Sequence, residues 1–192
     1  SIETIVATGS GGAVTLGLAN AADVTSVTSS GSTGGILTVS GIAAGADLAV
    51  QAQAVGANFQ YASTVGSQSA NLSVSSVTGA AALTVDGVET IAVTATGGAS
   101  VYQLDADSVT SLTFGGASPQ TITLAAMTAV SHFDASTATG AVGLTLINQS
   151  SLLAAQDLSV SGGTAGDTLN VSAHTQSNIS VNGGEGNDTI TH

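Results

Sequence analysis

The sequence predicts an all-β protein that folds as a parallel β-solenoid, and three observations lead to this class. Short β-branched runs separated by Gly and Ser recur along the whole chain of 192 residues. Hydrophobic residues make up 43% of the chain but aromatic ones only 3%, so the apolar side chains suit a narrow core better than a wide one. Strand-like segments also return about every 20 residues, which is the length of one solenoid coil.

The coil period is marked by an acid or amide that precedes an alternating strand. The segments are Glu3-TIVAT, Asp23-VTSVT, Asp47-LAVQA, Asn71-LSVSS, Glu89-TIAVT, Asp107-SVTSL, Asp157-LSVSG, Asp167-TLNVS and Asp188-TIT. Many neighbours in this series lie roughly 18–24 residues apart, and two or three short strands for each such step is the arithmetic of a β-solenoid coil.

A longer repeat relates residues 1–86 to residues 87–172. The segment "IETI" at Ile2–Ile5 returns as "VETI" at Val88–Ile91, and "LSVS" at Leu72–Ser75 returns at Leu158–Ser161, each with a shift of 86. Two tandem β-sandwich domains of about 86 residues would give the same repeat and are the alternative architecture. The missing Trp and the few aromatics favour the solenoid, because a sandwich core about 10 Å thick usually needs larger side chains.

The charge balance is one-sided, with twelve acidic residues, no Lys or Arg and a formal net charge of −12. Binding to nucleic acid or to an anionic membrane needs basic side chains, so we expect neither. The carboxylates repel one another unless an external cation joins them. The stretch Leu48–Val85 carries no charge, but its Gln and Asn residues argue against a membrane helix, and we expect no membrane insertion.

The end of the sequence contains a turn with metal-binding chemistry. Gly183-Gly184-Glu185-Gly186-Asn187-Asp188-Thr189-Ile190-Thr191 fits the pattern GGxGxDxUx, where U is a large apolar residue. Glycines permit positive φ and can turn backbone carbonyls toward one point, while Asp188 adds an anionic oxygen. Carbonyl and carboxylate oxygens are the ligands that Ca²⁺ prefers. The segment resembles the calcium-binding repeat of RTX proteins.

A second, imperfect turn lies upstream of the first, where Gly162, Gly163 and Asp167 match the pattern but Ala165 replaces the third glycine. RTX β-rolls share each ion between two turns one coil apart, so the resemblance implies Ca²⁺ between Asp167 and Asp188, with backbone carbonyls from both turns. The expected metal-binding residues are Gly162, Gly163, Thr164, Asp167, Gly183, Gly184, Glu185, Gly186 and Asp188. We therefore divide the chain into residues 1–161, a β-solenoid of repeated coils, and residues 162–192, RTX-type calcium-binding β-roll coils.

Other sequence features point away from catalysis. No Ser lies in a GxSxG turn, a P-loop is impossible without Lys, and His132, His174 and His192 are scattered along the chain. We therefore expect a protein that is not an enzyme. Two further acidic pairs, Asp105 with Asp107 and Asp86 with Glu89, are interpreted as solvated turns in preference to ion sites.

The RTX-like turn, the strands "IETIVA" and "VETIAV", and the Lys-free composition rich in Thr, Ser, Ala and Gly resemble bacterial surface-layer proteins of the Caulobacter type. Such proteins leave the cell by type I secretion, fold outside when they meet calcium, and assemble into a lattice or filament. The resemblance implies an extracellular structural segment on the bacterial cell surface. Its expected partners are further copies of itself, with cell-surface polysaccharide as an additional candidate.

Two other functions stay open on the sequence. One is a spacer or ligand-binding segment of a large RTX adhesin, and the other is the non-catalytic RTX region of a secreted hydrolase. Because the chain starts and stops on strand-like segments, we also expect it to be a piece of a longer protein.

Overall fold

The computed structural model describes residues 3–9, 11–62, 66–79, 81–125, 127, 129–147, 157–174 and 178–192. It confirms the predicted parallel β-solenoid. The strands are β1 Thr4–Thr8, β2 Val14–Gly17, β3 Ser26–Ser30, β4 Leu37–Ile42, β5 Asp47–Gln51, β6 Ala57–Tyr61, β7 Ser69–Ser75, β8 Ala81–Asp86, β9 Thr90–Ala95, β10 Ser100–Asp105, β11 Ser111–Gly116, β12 Gln120–Ala125, β13 His132–Ala138, β14 Val142–Ile147, β15 Leu158–Ser161, β16 Thr168–Asn170, β17 Ile179–Asn182 and β18 Thr189–Thr191.

The chain alternates between two nine-stranded sheets. The odd-numbered strands form sheet A in the order β1 to β17, and the even-numbered strands form sheet B in the order β2 to β18. Every strand pairs in parallel with the strand one coil away, as Thr90 of β9 does with Ser111 of β11. Tandem β-sandwiches, which consist of antiparallel sheets, are therefore excluded.

The long sequence repeat corresponds to a whole number of coils. Strands β1 and β9, whose "ETI" segments match at a shift of 86, lie four coils apart in sheet A, and so do β7 and β15. Matching segments thus occupy the same sheet and point their side chains to the same side.

The core lies between the two sheets and is built by strand alternation. Inward side chains are buried and outward ones are not, as in β14, where Val142, Leu144 and Leu146 point inward. The largest fully buried side chains include Tyr102, Phe59, Phe114 and Phe133. The aromatic residues that the chain does possess are thus concentrated in its middle coils, where Phe114 and Phe133 stack with ring centroids 4.4 Å apart.

Two different corners connect the sheets. The turns that lead from an odd strand to the next even strand form the glycine corner, where successive turns stack backbone on backbone. A side chain at Gly35 would overlap the main chain of Gly12 one coil below, and one at Gly162 would overlap the carbonyl of Gly183. Close stacking, and not only turn conformation, therefore requires glycine at this corner.

The opposite turns, from an even strand to the next odd strand, form the acidic corner. Eight of the twelve acids lie in these turns or at the strand ends beside them: Glu3, Asp23, Asp47, Asp86, Glu89, Asp105, Asp107 and Asp157. Most of the acids that precede strands in the sequence thus line one long edge of the solenoid. The two exceptions in that series, Asp167 and Asp188, lie at the glycine corner before strands of sheet B.

Candidate metal site

The two predicted metal-binding turns lie directly on top of each other at the glycine corner. The strands that follow them pair in register, with Thr168 opposite Thr189. The turns are also joined by their main chains, because the Glu185 N–H donates to the Gly163 carbonyl at 2.9 Å. The structure therefore brings together the residues 162–167 and 183–188 that the motif selected.

Asp167 is the more deeply buried acid of the pair Asp167 and Asp188. Its side chain is 1% exposed, and both of its oxygens accept hydrogen bonds from backbone amides. Oδ2 accepts from Gly163 N at 2.6 Å within its own turn, and Oδ1 accepts from Val142 N at 2.8 Å in the preceding coil. Because the chain contains no Lys or Arg, these amides supply the local positive dipoles that a buried carboxylate requires.

Asp188 repeats part of this arrangement one coil further on. Its Oδ1 accepts from Asp167 N at 2.9 Å, while the Asp167 carbonyl accepts from Thr189 N at 2.8 Å. Asp188 is half-buried, and its Oδ2 lies where a side chain on Gly183 would have to be. The carboxylate therefore fits against its turn only because residue 183 is glycine.

The two turns differ in backbone conformation. Gly184 and Gly186 have φ values of +92° and +112°, whereas Ala165 and the other residues of the upstream turn have no positive φ. An L-residue with a side chain rarely adopts such angles, so the replacement of the third glycine by Ala165 is accompanied by a different path of the main chain. Thr164 is exposed, and its N and Oγ1 both donate to the Ala138 carbonyl of the preceding coil.

The donor set fits a hard divalent cation. It consists only of oxygen, with two carboxylates one coil apart and the carbonyls of two tight turns, which is the chemistry that Ca²⁺ prefers. A carboxylate can accept at about four lone-pair positions, so the two amides on Asp167 leave it able to bind an ion. Glu185 is exposed beside the same turn. The residues that would hold Ca²⁺ thus lie mainly in the downstream turn, and Asp167 would add a carboxylate oxygen from the turn one coil earlier.

Within the described ranges, no group of three or more His, Cys, Asp or Glu side chains is placed to hold a metal ion. A site of the kind inferred above would use two carboxylates and main-chain carbonyls, so it belongs to a different class from such side-chain clusters. The remaining ligands would have to come from the turns themselves.

Sequence reasoning missed a short polar column of two side chains, which lies at the same corner as Asp167 but is separated from it by Val142. In register with the start of the even strands, Ser100 and Gln120 occupy the corner positions of earlier coils, and both are buried. Ser100 Oγ accepts from Val77 N at 3.3 Å, and Gln120 Oε1 accepts from the Tyr102 hydroxyl at 2.9 Å. The signal was present in the sequence as a polar residue at the first position of an alternating strand of sheet B.

The acidic corner assembles three carboxyl groups in a way the sequence only partly indicated. Burial raises the pKa of Asp86, and the nearby Asp107 and Asp105 raise it further. Burial and Asp107 likewise raise the pKa of Asp105. Glu89, the sequence-predicted neighbour of Asp86, instead accepts from Gln68 N at 2.6 Å. Coil stacking thus brings Asp86 to Asp105 and Asp107, which are themselves close along the chain.

Comparisons with known proteins add no relative: no family model matches the chain, and neither does any curated protein or solved structure. In the described part of the chain, no helix has the length and apolarity that a membrane span requires.

Proposed function

We propose that this chain is a structural, self-assembling segment of an extracellular bacterial surface protein, and that its C-terminal coils bind Ca²⁺. The observation that carries the proposal is the stack of Asp167 and Asp188 at one corner of a chain without Lys or Arg. Two like charges about 4.8 Å apart, the spacing of paired strands, repel each other. Bound Ca²⁺ would supply the missing positive charge and draw the carbonyls of both turns together.

The solenoid architecture supports a structural role. Each coil contacts mainly its neighbours, so the chain is a rod whose outer surface repeats from coil to coil. A backbone that repeats at a regular spacing presents sheet faces and corners at regular intervals, which suits a lattice or filament. Copies that each carry a charge of −12 repel one another, so a bridging divalent cation would favour their contact as well as their folding.

The first test is calcium-dependent stability. We expect the melting temperature followed by circular dichroism to rise with CaCl₂ relative to chelator, because an ion that binds only the folded state adds stability by mass action. MgCl₂ at the same ionic strength is the control, since Mg²⁺ demands a smaller octahedral shell and should stabilise less. An unchanged melting temperature in CaCl₂ would contradict the proposed metal site.

The second test is assembly. Light scattering at matched ionic strength should show larger particles with CaCl₂ but not with NaCl or MgCl₂. General screening acts over about 10 Å at 0.1 M salt and would favour association in all three solutions equally. Scattering that depends only on ionic strength would therefore argue against calcium-bridged assembly.

A spacer in a large adhesin is the second candidate, and the rod shape favours it. Eight steps between nine strands at about 4.8 Å each separate the two ends of a sheet by about 38 Å. A chain that gains stability with Ca²⁺ but stays monomeric at every concentration would support the spacer over the self-assembling coat.

A further inference from the structure

The outer surface of sheet B from β10 to β18 carries two rows of outward side chains, which we call the threonine face. In strand order the rows are Val101, Thr121, Gly143, Thr168 and Thr189, and Gln103, Thr123, Thr145, Asn170 and Thr191. None of these ten residues has an ionisable side chain, although the chain has twelve acids. The threonine face is thus a neutral strip on a strongly acidic molecule.

The position of the charges indicates what can cover this strip. The nearest acids lie along its margins, at the acidic corner on one side and at the turn of Asp167 and Asp188 on the other. Two copies of a molecule with charge −12 can approach most closely where neither presents a carboxylate. The threonine face meets this condition over four strands, β12 to β18, without interruption.

The first row has a shape that complements itself. Val101 projects from it with 43% of its surface exposed and is one of the few large apolar side chains in the described ranges to do so. Two strands further along, Gly143 leaves a notch of about 350 Å³ lined by Thr121, Thr145 and Thr168 among others. The projection and the notch lie on opposite sides of Thr121, each one strand away from it.

We propose that the threonine face is an interface between two copies of this chain, related by a two-fold axis through Thr121. This axis runs parallel to the strands, so it places Val101 of one copy against the notch at Gly143 of the other and repeats the contact in reverse. Such an isologous contact uses one patch twice. The inference rests on the proposed self-assembly and specifies the surface through which it occurs.

The same axis keeps like charges apart. It places β8 and β10, which end in Asp86 and Asp105, opposite β16 and β14 of the other copy. Neither of those two strands contains an acid. The two carboxylates therefore meet uncharged strands, at the margin of the contact and not at its centre.

The contact is expected to be individually weak. About an axis at β12, the seven strands from β6 to β18 overlap, so the contact extends beyond the threonine face onto β6 and β8. At about 4.8 Å spacing and about 18 Å length they cover roughly 600 Å² per copy, which is less than the roughly 800 Å² per partner of a standard stable interface. The Thr hydroxyls must also find partners across the contact, because burying them unpaired would cost free energy. Repetition in a larger assembly would strengthen such a contact.

The test compares variants that alter the fit but not the fold. Gly143 has no positive φ, and a Cβ there would meet the Thr121 side chain at an ordinary 3.4 Å, so the backbone accepts Gly143→Thr, whose side chain would occupy the notch. Val101→Ala removes the projecting methyl groups of this 43% exposed side chain. We expect each variant to weaken dimerisation about tenfold or more in sedimentation equilibrium, because each contact is lost twice per dimer.

The matched control is Ala92→Thr, which makes a similar change at an outward position of β9 on sheet A. It should leave the dissociation constant unchanged, and circular dichroism should show the same melting temperature for all three variants. A control that weakens association as much as Gly143→Thr would overturn the assignment of the interface to sheet B.

Charged substitutions of either sign at Thr121, the residue on the axis, test the two-fold symmetry. Thr121→Glu places two like charges against each other at the centre of the dimer, and Thr121→Lys does the same with the opposite sign. Each variant alone should be monomeric, whereas an equimolar mixture should form a heterodimer. A mixture that remains monomeric while the wild type dimerises would overturn the proposed axis.

All association measurements are made in CaCl₂, and calcium-dependent stability is measured separately. If Ca²⁺ stabilises the wild type and drives its assembly but the threonine-face variants assemble normally, this interface is wrong and the proposed function stands. If Ca²⁺ has no effect on stability, the proposed function fails whatever the variants do. A wild type that stays monomeric at all concentrations in CaCl₂ overturns the interface.

Discussion

The Asp188 carboxylate accepts a hydrogen bond from the backbone N–H of Asp167 at 2.9 Å, so the second acid of the turn pair holds the main chain of the first. Asp167 makes the equivalent contact one coil earlier, to Val142 N, and adds a second to Gly163 N. The two residues of one motif position therefore differ in burial and in the number of amides they bind. This difference leads to different expectations for their variants.

Asp167→Asn should destabilise the protein both in chelator and in CaCl₂. An Asn side chain has only one acceptor oxygen, so its NH₂ group would face either Gly163 N or Val142 N, and one buried donor would lose its partner at a cost of about 1–3 kcal/mol. Chemical denaturation in the two solutions measures the free energy of unfolding. A loss seen only in CaCl₂ would show that Asp167 acts through the ion alone.

Asp188→Asn should behave in the opposite way. Its single acceptor can still serve Asp167 N, so stability in chelator should stay near that of the wild type. In CaCl₂ the variant should lose the gain from ion binding, which amounts to about 2.7 kcal/mol when free calcium is 100 times the dissociation constant. Equal calcium stabilisation of wild type and variant would place the ion elsewhere.

The fold was predictable because its signals are repeated many times. Alternating strands, small apolar side chains and a regular coil period each recur along the chain, so an irregularity in one coil does not obscure the pattern. The positions of the aromatic residues were not predictable, because packing of Phe114 against Phe133 depends on the register between coils.

The candidate site was predictable as a pair of turns but not in its details. The motif and the spacing between Asp167 and Asp188 selected the stacked turns, because one coil brings residues of that separation into register. The polar column of Ser100 and Gln120 follows no motif, and its hydrogen bonds depend on the three-dimensional stack. The grouping of Asp86 with acids of the next coil likewise arises between coils.

The glycine positions of the two turns should respond differently to substitution. Gly186→Ala places a side chain at φ +112° and against the main chain of Ala165, so it should destabilise the last coil and reduce calcium affinity. Ala165→Gly restores the third glycine of the GGxGxD motif. It also removes a methyl group from a residue whose φ is not positive, so no backbone strain is relieved. It should cost about 0.4–1 kcal/mol through the greater freedom of the unfolded chain.

Isothermal calorimetry and denaturation distinguish these effects. We expect reduced calcium affinity for Gly186→Ala and a small loss of stability for Ala165→Gly. A large increase in both calcium affinity and stability for Ala165→Gly would mean that the upstream turn can adopt the conformation of the downstream one.

Asp86→Asn should stabilise the protein at neutral pH. Burial and the charges of Asp107 and Asp105 raise the pKa of Asp86, so the folded state binds its proton more readily than the unfolded state does. The stability of the wild type should therefore increase as pH falls through this raised pKa and level off below 3.8. Asp86 is only partly buried, so solvent screening limits the gain of the variant to well below about 1 kcal/mol.

The check is the melting temperature of the wild type and Asp86→Asn from pH 7 to pH 3. The two curves should approach each other at the acid end, where the wild-type carboxyl is also neutral. Asp23→Asn, which changes an exposed acid of the same corner, is the matched control. A constant difference between wild type and Asp86→Asn at all pH values would exclude titration as the cause.

His174 should make the C-terminal coils sensitive to mild acid. Burial lowers its pKa, and the charge of His192 lowers it further, so the unfolded state takes up a proton before the folded state does. The stability contributed by neutral His174 is therefore complete above the ordinary value of 6.5 and is lost as pH falls through the lowered pKa. Replacing it by His174→Gln should reduce the slope of melting temperature against pH below 6.5, with the exposed His132→Gln as control. Identical slopes for the wild type and His174→Gln would contradict this.

Damage to the last coil should stay local. Coils of a solenoid contact mainly their neighbours, so Asp188→Ala removes support from the Asp167 turn but from nothing further along the stack. Hydrogen exchange should show faster opening of amides in β15 to β18 and unchanged protection in β3 to β12, where buried aromatics such as Tyr102 and Phe114 stabilise the middle coils.

The matched variant Phe133→Ala, which opens a cavity beside Phe114 at a cost of about 3–5 kcal/mol, should instead loosen the middle coils first. If both variants accelerate exchange equally in every strand, the chain unfolds as one cooperative unit, and the nearest-neighbour account of its stability is wrong.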